Sequence, residues 1–395
     1  MKKILLLTIV VFFTSIANAQ WVEPSQVAWN SQNVYSLKSD GTNIFAGTGS
    51  AGVSLSTNNG NSWTAVNNGL TYTGISSLAI SGTNIFASGD SGVFLSTNNG
   101  GLWTAVNNGL TNTTVNALAI SGTNIFAGTN GGVFLSTNNG GLWTAANNGF
   151  NGQVLSLATD GTNIFAGTGN YGVYLSTNNG GLWTAVNNGL TNNNANIIAI
   201  SGTNIFAGTG GYGIFLSTNN GGLWTAVNNG LTNLNIYALL INGTTIFAGT
   251  DDGVFYSNDM GANWTLFNDG FPANTAVQAF TISGTYIFAG IRLEPHGVWR
   301  RPLSEVVNDI EVDHYYNSFN LYPIPAFDIV TLNIDNRNND DLTLNIYNVT
   351  GTLVKSEMLK QNQRQINIVD LSNGIYMVEV KTKKWTEKQK LIIQK

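Results

Sequence analysis

Short apolar runs alternate with polar turns along most of this chain, and the alternation has a fixed length. In one stretch Val115 to Ser121, Asn124 to Gly128, Gly132 to Ser136 and Trp143 to Asn147 each read as a strand, with Gly, Asn and Thr between them. Four such runs in chain order predict a small antiparallel meander. The phrase Gly-Thr-Asn-Ile-Phe-Ala-Gly opens at Gly41 and returns, nearly letter for letter, at Gly82, Gly122, Gly161, Gly202, Gly243 and Gly284, a period of 39 to 41 residues. Helical repeats of that length need an apolar stripe every three to four residues, which is absent here, whereas one four-stranded propeller blade has this length. The pattern predicts an all-β chain with a seven-bladed β-propeller over residues 20–303. The last unit, Val277 to Arg301, lacks a fourth strand; the segment from Gln20 to Gln26, which carries Trp21, is expected to supply it and close the ring.

Between the third and fourth strands a spaced quartet recurs. It reads Ser56, Asn58, Gly60, Trp63, then Ser96, Asn98, Gly100, Trp103, then Ser136, Asn138, Gly140, Trp143. The next copies are Ser176, Asn178, Gly180, Trp183, then Ser217, Asn219, Gly221, Trp224, and finally Ser257, Asp259, Gly261, Trp264. An Asn or Asp side chain accepts hydrogen bonds from amides beyond it, Gly takes the positive φ of the turn, and Trp is expected to close the turn onto its sheet. The quartet resembles the Asp-box repeat, S-x-D-x-G-x-x-W, of sialidases, sortilin-type receptors and a photosystem assembly factor, over roughly residues 21 to 303. That resemblance implies a propeller scaffold. Five of the six boxes carry Asn in place of Asp, which keeps the acceptor and removes the charge, so the box is assigned a structural role.

In an up-and-down blade the loops joining strands one to two and three to four lie on one face, and the remaining loops on the other. The first face holds the nearly invariant turns and boxes; the second holds most of the variation and is where a partner is expected. Its two-to-three hairpins carry Ser50, Asp90, Asn130, Tyr171, Tyr212, Asp251 and Asp252, and its four-to-one loops carry Tyr72, Gln153, Asn192 to Asn194 and Tyr237. Tyr171, Tyr212, Asp251, Asp252, Tyr72 and Tyr237 are the candidate ligand-binding residues, because tyrosine rings with amides and carboxylates suit a glycan; the same residues also serve as ordinary exposed turns.

A sialidase would need three Arg from different blades, yet residues 21–303 hold only Arg292, Arg300 and Arg301, all in the last unit, and only two Glu, Glu23 and Glu294. A glycoside hydrolase with two carboxylates stays open, drawing on Asp90, Asp160, Asp251 or Asp252 set roughly 5 to 10 Å apart. The favoured expectation is a binding or adhesion module without catalysis, with a hydrolase and a ligand-free structural surface protein as alternatives. No cofactor and no metal are expected: the two His, His296 and His314, are scattered, Cys is absent, and Asp251-Asp252-Gly253 offers too few oxygens for calcium. A net charge of -5 disfavours nucleic acid, which needs a basic surface.

Both ends carry addresses. Lys2 and Lys3, the apolar run from Ile4 to Ile16, and Ala17-Asn18-Ala19 have the pattern of a signal peptide over residues 1–19. That run falls short of the roughly 20 residues a membrane span needs, so no transmembrane segment is expected. A linker is placed at 304–317, where the repeats stop and acidic residues gather. From 318 to 395, alternating runs such as Thr343 to Val349 and Ile375 to Lys381 predict a small Ig-like β-sandwich. Its segments Asn320-Leu-Tyr-Pro323-Ile-Pro325, Ile346-Tyr-Asn-Val-Thr-Gly351, Asp370-Leu-Ser-Asn-Gly374-Ile-Tyr376 and Lys390-Leu-Ile-Ile resemble the type A C-terminal sorting domain of type IX secretion cargo. Ile324 stands where that family usually has Asn. The resemblance implies recognition by the type IX machinery, passage across both membranes, removal of the domain, and a propeller at the cell surface or released, where a glycan or a surface protein is the expected ligand.

Overall fold

The computed structural model describes residues 20–23, 32–150, 152–293, 296–305, 319–322, 324–334, 342–359, 365–381 and 386–395. The signal segment 1–19, residues 24–26 of the expected closing strand, Glu294, His314, Pro323 and most of the linker lie outside these. The chain divides into two units, Met1–Asp309 and Ile310–Lys395.

In the first unit each repeat is one antiparallel sheet whose strands pair in chain order. Among the described residues there are six such four-stranded sheets, beginning with Val34–Ser39, Ile44–Thr48, Val53–Ser56 and Thr64–Ala65, and a three-stranded one made of Ala276–Ser283, Tyr286–Arg292 and Gly297–Pro302. The second strand of each sheet, Ile-Phe-Ala-Gly-Thr in most copies, is buried on both faces, because a neighbouring sheet covers each side. Its glycine, replaced only by Ser88 in the second sheet, suits that packing. A Cβ at Gly128 would stand 2.5 Å from Val154 of the next sheet, and one at Gly208 would stand 2.5 Å from Ile236. The same contact links the last sheet to the first, where a Cβ at Gly290 would meet Val34 at 2.7 Å. Val34, Leu37, Ile44 and Ala46 share one core with Ala279, Phe288 and Val298, so the sheets follow one another around a closed ring.

The boxes staple the ring together. Ser136 Oγ is buried; it donates to Asn138 Oδ1 at 3.0 Å and accepts from Gly140 N at 2.9 Å, while Asn138 Oδ1 also accepts from Leu142 N at 2.8 Å. The six box tryptophans are buried, and besides packing on their own sheet, as Trp143 does on Ile125, Ala127 and Phe134, they reach the sheet before it. Trp143 Nε1 donates to Val106 O of the preceding sheet at 2.7 Å, and Trp103, Trp183, Trp224 and Trp264 repeat this with Val66, Ala146, Val186 and Val227. The indole is long enough to bridge two sheets, and that is where its N–H finds a buried carbonyl.

Trp21 takes the same position after the last box. Its Nε1 donates to Phe267 O at 2.6 Å and its backbone N to Asp269 O at 2.6 Å, and its ring stacks on Phe271 with centroids 4.8 Å apart. Val22 then exchanges two backbone hydrogen bonds with Arg300, of 3.0 and 2.9 Å, adding a strand segment to the edge of the three-stranded sheet.

The second unit is a β-sandwich. One sheet is Phe319–Tyr322, Ile329–Ile334 and Gln365–Asn367; the other has Leu353–Leu359, Leu342–Asn348, Gly374–Lys381 and Thr386–Ile393 in that spatial order. Leu321, Val330 and Leu332 of the first meet Leu344, Ile346, Val378, Val380 and Leu391 of the second in one core. Among the described residues no helix is long and apolar enough to cross a membrane.

Candidate functional site

The hairpin face is built on a repeated latch that gives the variable tips a fixed frame. In each four-stranded sheet an Asn just past the fourth strand reaches back to the two-to-three hairpin: Asn187 Oδ1 accepts from Val173 N at 2.7 Å and its Nδ2 donates to Tyr171 O at 2.9 Å. Asn228 does the same with Ile214 and Tyr212. The sequence reading placed the equivalent Asn147 at the end of the fourth strand, which in fact stops at Ala145; the latch shows only once the loops are folded together.

On this frame Tyr171 and Tyr212 occupy the same hairpin position in adjacent sheets, the residues 55% and 51% exposed. The Asn192 to Asn194 loop runs between their sheets, and Asn193 O accepts from Gly172 N at 2.8 Å. The other candidates gather in separate groups. Tyr72 Oη donates to Asp90 at 2.9 Å, and this hydrogen bond, with the carboxylate charge behind it, raises the tyrosine above its ordinary value. Gln153 donates to Asn130 at 2.9 Å, and Ser50 to Gln32 at 2.6 Å.

Asp251 is held by three partners: Asn235 Nδ2 at 2.9 Å, Tyr237 Oη at 3.3 Å, and Arg292, whose guanidinium stands 3.9 Å from Oδ1 and 4.7 Å from the Tyr237 ring centre. Burial first, and then the Asp251 charge, push the Tyr237 hydroxyl up, with Arg292 working against them. Asp252 accepts from Asn233 at 2.9 Å. Arg292, placed at the end of its strand, was not singled out from sequence because nothing there reveals which hairpin it faces.

Two expectations are corrected. Tyr237 lies in no loop but within the strand Ile236–Asn242, as the extra residue of a β-bulge between Ile236 and Ala238. Asp160 sits in a strand-one-to-two turn, on the box face, where its Oδ1 accepts from Thr162 N and Asn163 N; it stands apart from the hairpin carboxylates. Burial works to raise the Asp160 carboxyl, but the hydrogen bonds from Asn163 and Thr162 outweigh it and hold it below the usual range.

The bulge at Tyr237 recurs. Tyr35, Asn116, Leu155, Asn196 and Gln278 are extra residues at the same point of their inner strands, and a bulge re-aims the side chain it carries. All six line one cavity of about 390 Å³, to which the inner strands of all seven sheets contribute. The only sequence signal for it is a polar or aromatic residue opening a strand that is otherwise apolar. Among the described residues no group of three or more His, Cys, Asp or Glu is placed to hold a metal.

Residues 320–394 match the secretion system C-terminal sorting domain. No curated protein matches the chain by sequence. Among solved structures the fold is shared with YCF48 from Cyanidioschyzon merolae, at 15% identity and TM-score 0.54, covering 70% of this chain and 97% of that one. It is also shared with the GH74 xyloglucanase from Xanthomonas campestris, at 14% identity and TM-score 0.58, covering 91% of this chain and 65% of that one. The Niastella koreensis GH74 enzyme gives 20% identity and TM-score 0.53, covering 69% and 43%. The chain thus spans less than two thirds of either GH74 enzyme, and at these identities the likeness is one of fold. It is an all-β protein in which a propeller of Asp-box-like repeats precedes a secretion system C-terminal sorting domain, the mark of a protein sent to the cell surface or beyond.

Proposed function

We propose that this protein is a non-catalytic binding module, carried through the outer membrane by the type IX machinery and presented at the surface or released after its sorting domain is removed. Its ligand surface is the hairpin face. The observation that carries the reading is the pair Tyr171 and Tyr212, half exposed at one level of neighbouring sheets, with an asparagine loop between those sheets. Two such rings offer stacking faces to a sugar or to an extended surface chain, and the surrounding amides offer hydrogen bonds. The carboxylates of the same face are occupied: Asp90 by Tyr72, Asp251 by Asn235, Tyr237 and Arg292, Asp252 by Asn233.

A second reading, a glycoside hydrolase, is favoured by the fold shared with two GH74 enzymes. One experiment separates them. Polysaccharide pull-down with the purified protein is followed by a reducing-sugar assay on each bound polymer. Retention without sugar release, lost in a Tyr171→Ala/Tyr212→Ala variant, is the expected result; release abolished by Asp251→Ala or Asp252→Ala would establish the hydrolase.

A further inference from the structure

Lys38 is the only lysine between residues 20 and 303, and it lines the axial cavity. At the same register position, opposite the phenylalanine of the second strand, four other sheets carry alanine: Ala79, Ala119, Ala158 and Ala199. A cation here serves no step of the repeat. The lining holds no Asp, Glu, His or Arg, so no carboxylate of the cavity wall answers this charge. The Lys38 side chain keeps accessible surface, although the ring of strands surrounds it; that surface belongs to the cavity. Burial accordingly pushes its amine below the ordinary value.

The rest of the lining is unusual for the centre of a β fold. Ser36, Ser76, Ser77 and Ser156 contribute hydroxyls, and Asn116, Asn196 and Gln278 contribute amides. Two of the amides are engaged: Asn116 donates to Val154 O at 2.9 Å, and Asn196 to Ile236 O at 3.1 Å. Gln278 differs, for its Oε1 is buried without a hydrogen-bond partner. A buried acceptor without a partner and a cation that no carboxylate of the wall answers stand in one cavity, and a matching ligand would satisfy both. Tyr35 and Tyr237 stand at the bulge end of the cavity, and Lys38 is three residues further along its strand, about 10 Å at the rise of an extended chain.

We infer that the axial cavity binds a small hydroxylated carboxylate of monosaccharide size, a uronic acid being the fitting chemistry, with the carboxylate on Lys38 and a ligand hydroxyl donating to Gln278. The volume lies in the range of small-molecule sites. This site is separate from the tyrosine pair of the hairpin face, and the two stand or fall independently.

Calorimetric titration of the purified protein with glucuronate, glucose and acetate tests it. Glucuronate is expected to bind at one site per chain and to raise the Tm, glucose to bind at least tenfold more weakly because it lacks the carboxylate, and acetate to bind weakly because it lacks the hydroxyls. Lys38→Ala installs the side chain four other sheets already carry and is expected to fold while losing at least about tenfold in affinity, the worth of one charge-assisted hydrogen bond. Lys38→Arg is expected to keep binding, Gln278→Leu to weaken it, and Tyr171→Ala/Tyr212→Ala to leave it unchanged. Should Lys38→Ala fail to fold, Lys38→Met answers the same question with the stem length kept. Glucuronate that does not bind, that binds Lys38→Ala or Lys38→Met as tightly as the parent, or that is lost with the tyrosine pair instead, overturns the proposal.

Discussion

Within each box the serine and the acceptor beside it carry different loads. Ser136 Oγ is buried and is the partner of Gly140 N, so Ser136→Ala leaves a buried N–H without an acceptor, a loss of about 1–3 kcal/mol. Asn138 is exposed and works only through Oδ1, which an Asp carboxylate reproduces. Asp259 shows the outcome: its Oδ1 accepts from Ser257 Oγ at 2.7 Å and Asn263 N at 2.9 Å. Burial works to raise that carboxyl, but hydrogen bonds from Asn263 and Ser257 outweigh it and hold it below the ordinary 3.8. A carboxyl whose folded value is depressed contributes stability that is complete above its unfolded value and is lost as pH falls through the folded one. Urea unfolding of Asn138→Asp is expected to match the parent near neutral pH, since Ser136 Oγ and Leu142 N still donate to Oδ1, and to show a smaller acid-side loss than Asp259 carries, because Leu142 lacks the side-chain amide that Asn263 donates; Ser136→Ala is weaker at every pH. Equal losses for both variants at neutral pH would assign the box a role in which the charge matters.

Strands and turns were legible because each repeat states them again: the Ile-Phe-Ala-Gly run and the Ser-Asn-Gly-Trp quartet recur at nearly fixed spacing. What was illegible is whatever depends on a partner far along the chain. The bulges that turn Tyr35, Asn116, Tyr237 and Gln278 toward the cavity exist only in the register between two strands, and the tryptophans find their carbonyls some 37 residues back, in another sheet. Trp21 is the element on which these long-range contacts converge. It is buried, donates to Phe267, stacks on Phe271, and precedes the Val22–Arg300 bridge at the edge of the last sheet. Truncating a buried tryptophan costs about 3–5 kcal/mol. A domain of about 280 residues loses on the order of 2–3 °C per kcal/mol, so Trp21→Ala is expected to lower the Tm by roughly 6–15 °C in a calorimetric scan. Deleting residues 20–26 should cost at least as much. An unchanged transition in both would mean that the ring does not depend on its N-terminal segment for closure.

At the scale of the whole molecule, structure and address are written in separate parts of the chain. The propeller draws its stability from cores within residues 21–303, each shared between neighbouring sheets, while the sandwich has its own core from Leu321 to Ile393. The residues that resemble sorting cargo fall entirely in the sandwich, which is why export was readable from motif alone, whereas ligand chemistry, spread over hairpins of several repeats, was not. A chain ended after Glu305 keeps every propeller core cluster and loses the sorting domain. In the native host, cell fractionation and protease shaving are expected to find the full-length product at the surface or in the medium, and the truncated one protected behind the outer membrane. The purified truncated protein is expected to unfold at the propeller's own Tm, which distinguishes failed sorting from failed folding. If the truncated chain reaches the surface with undiminished yield, the C-terminal sandwich is an accessory domain and the address lies elsewhere.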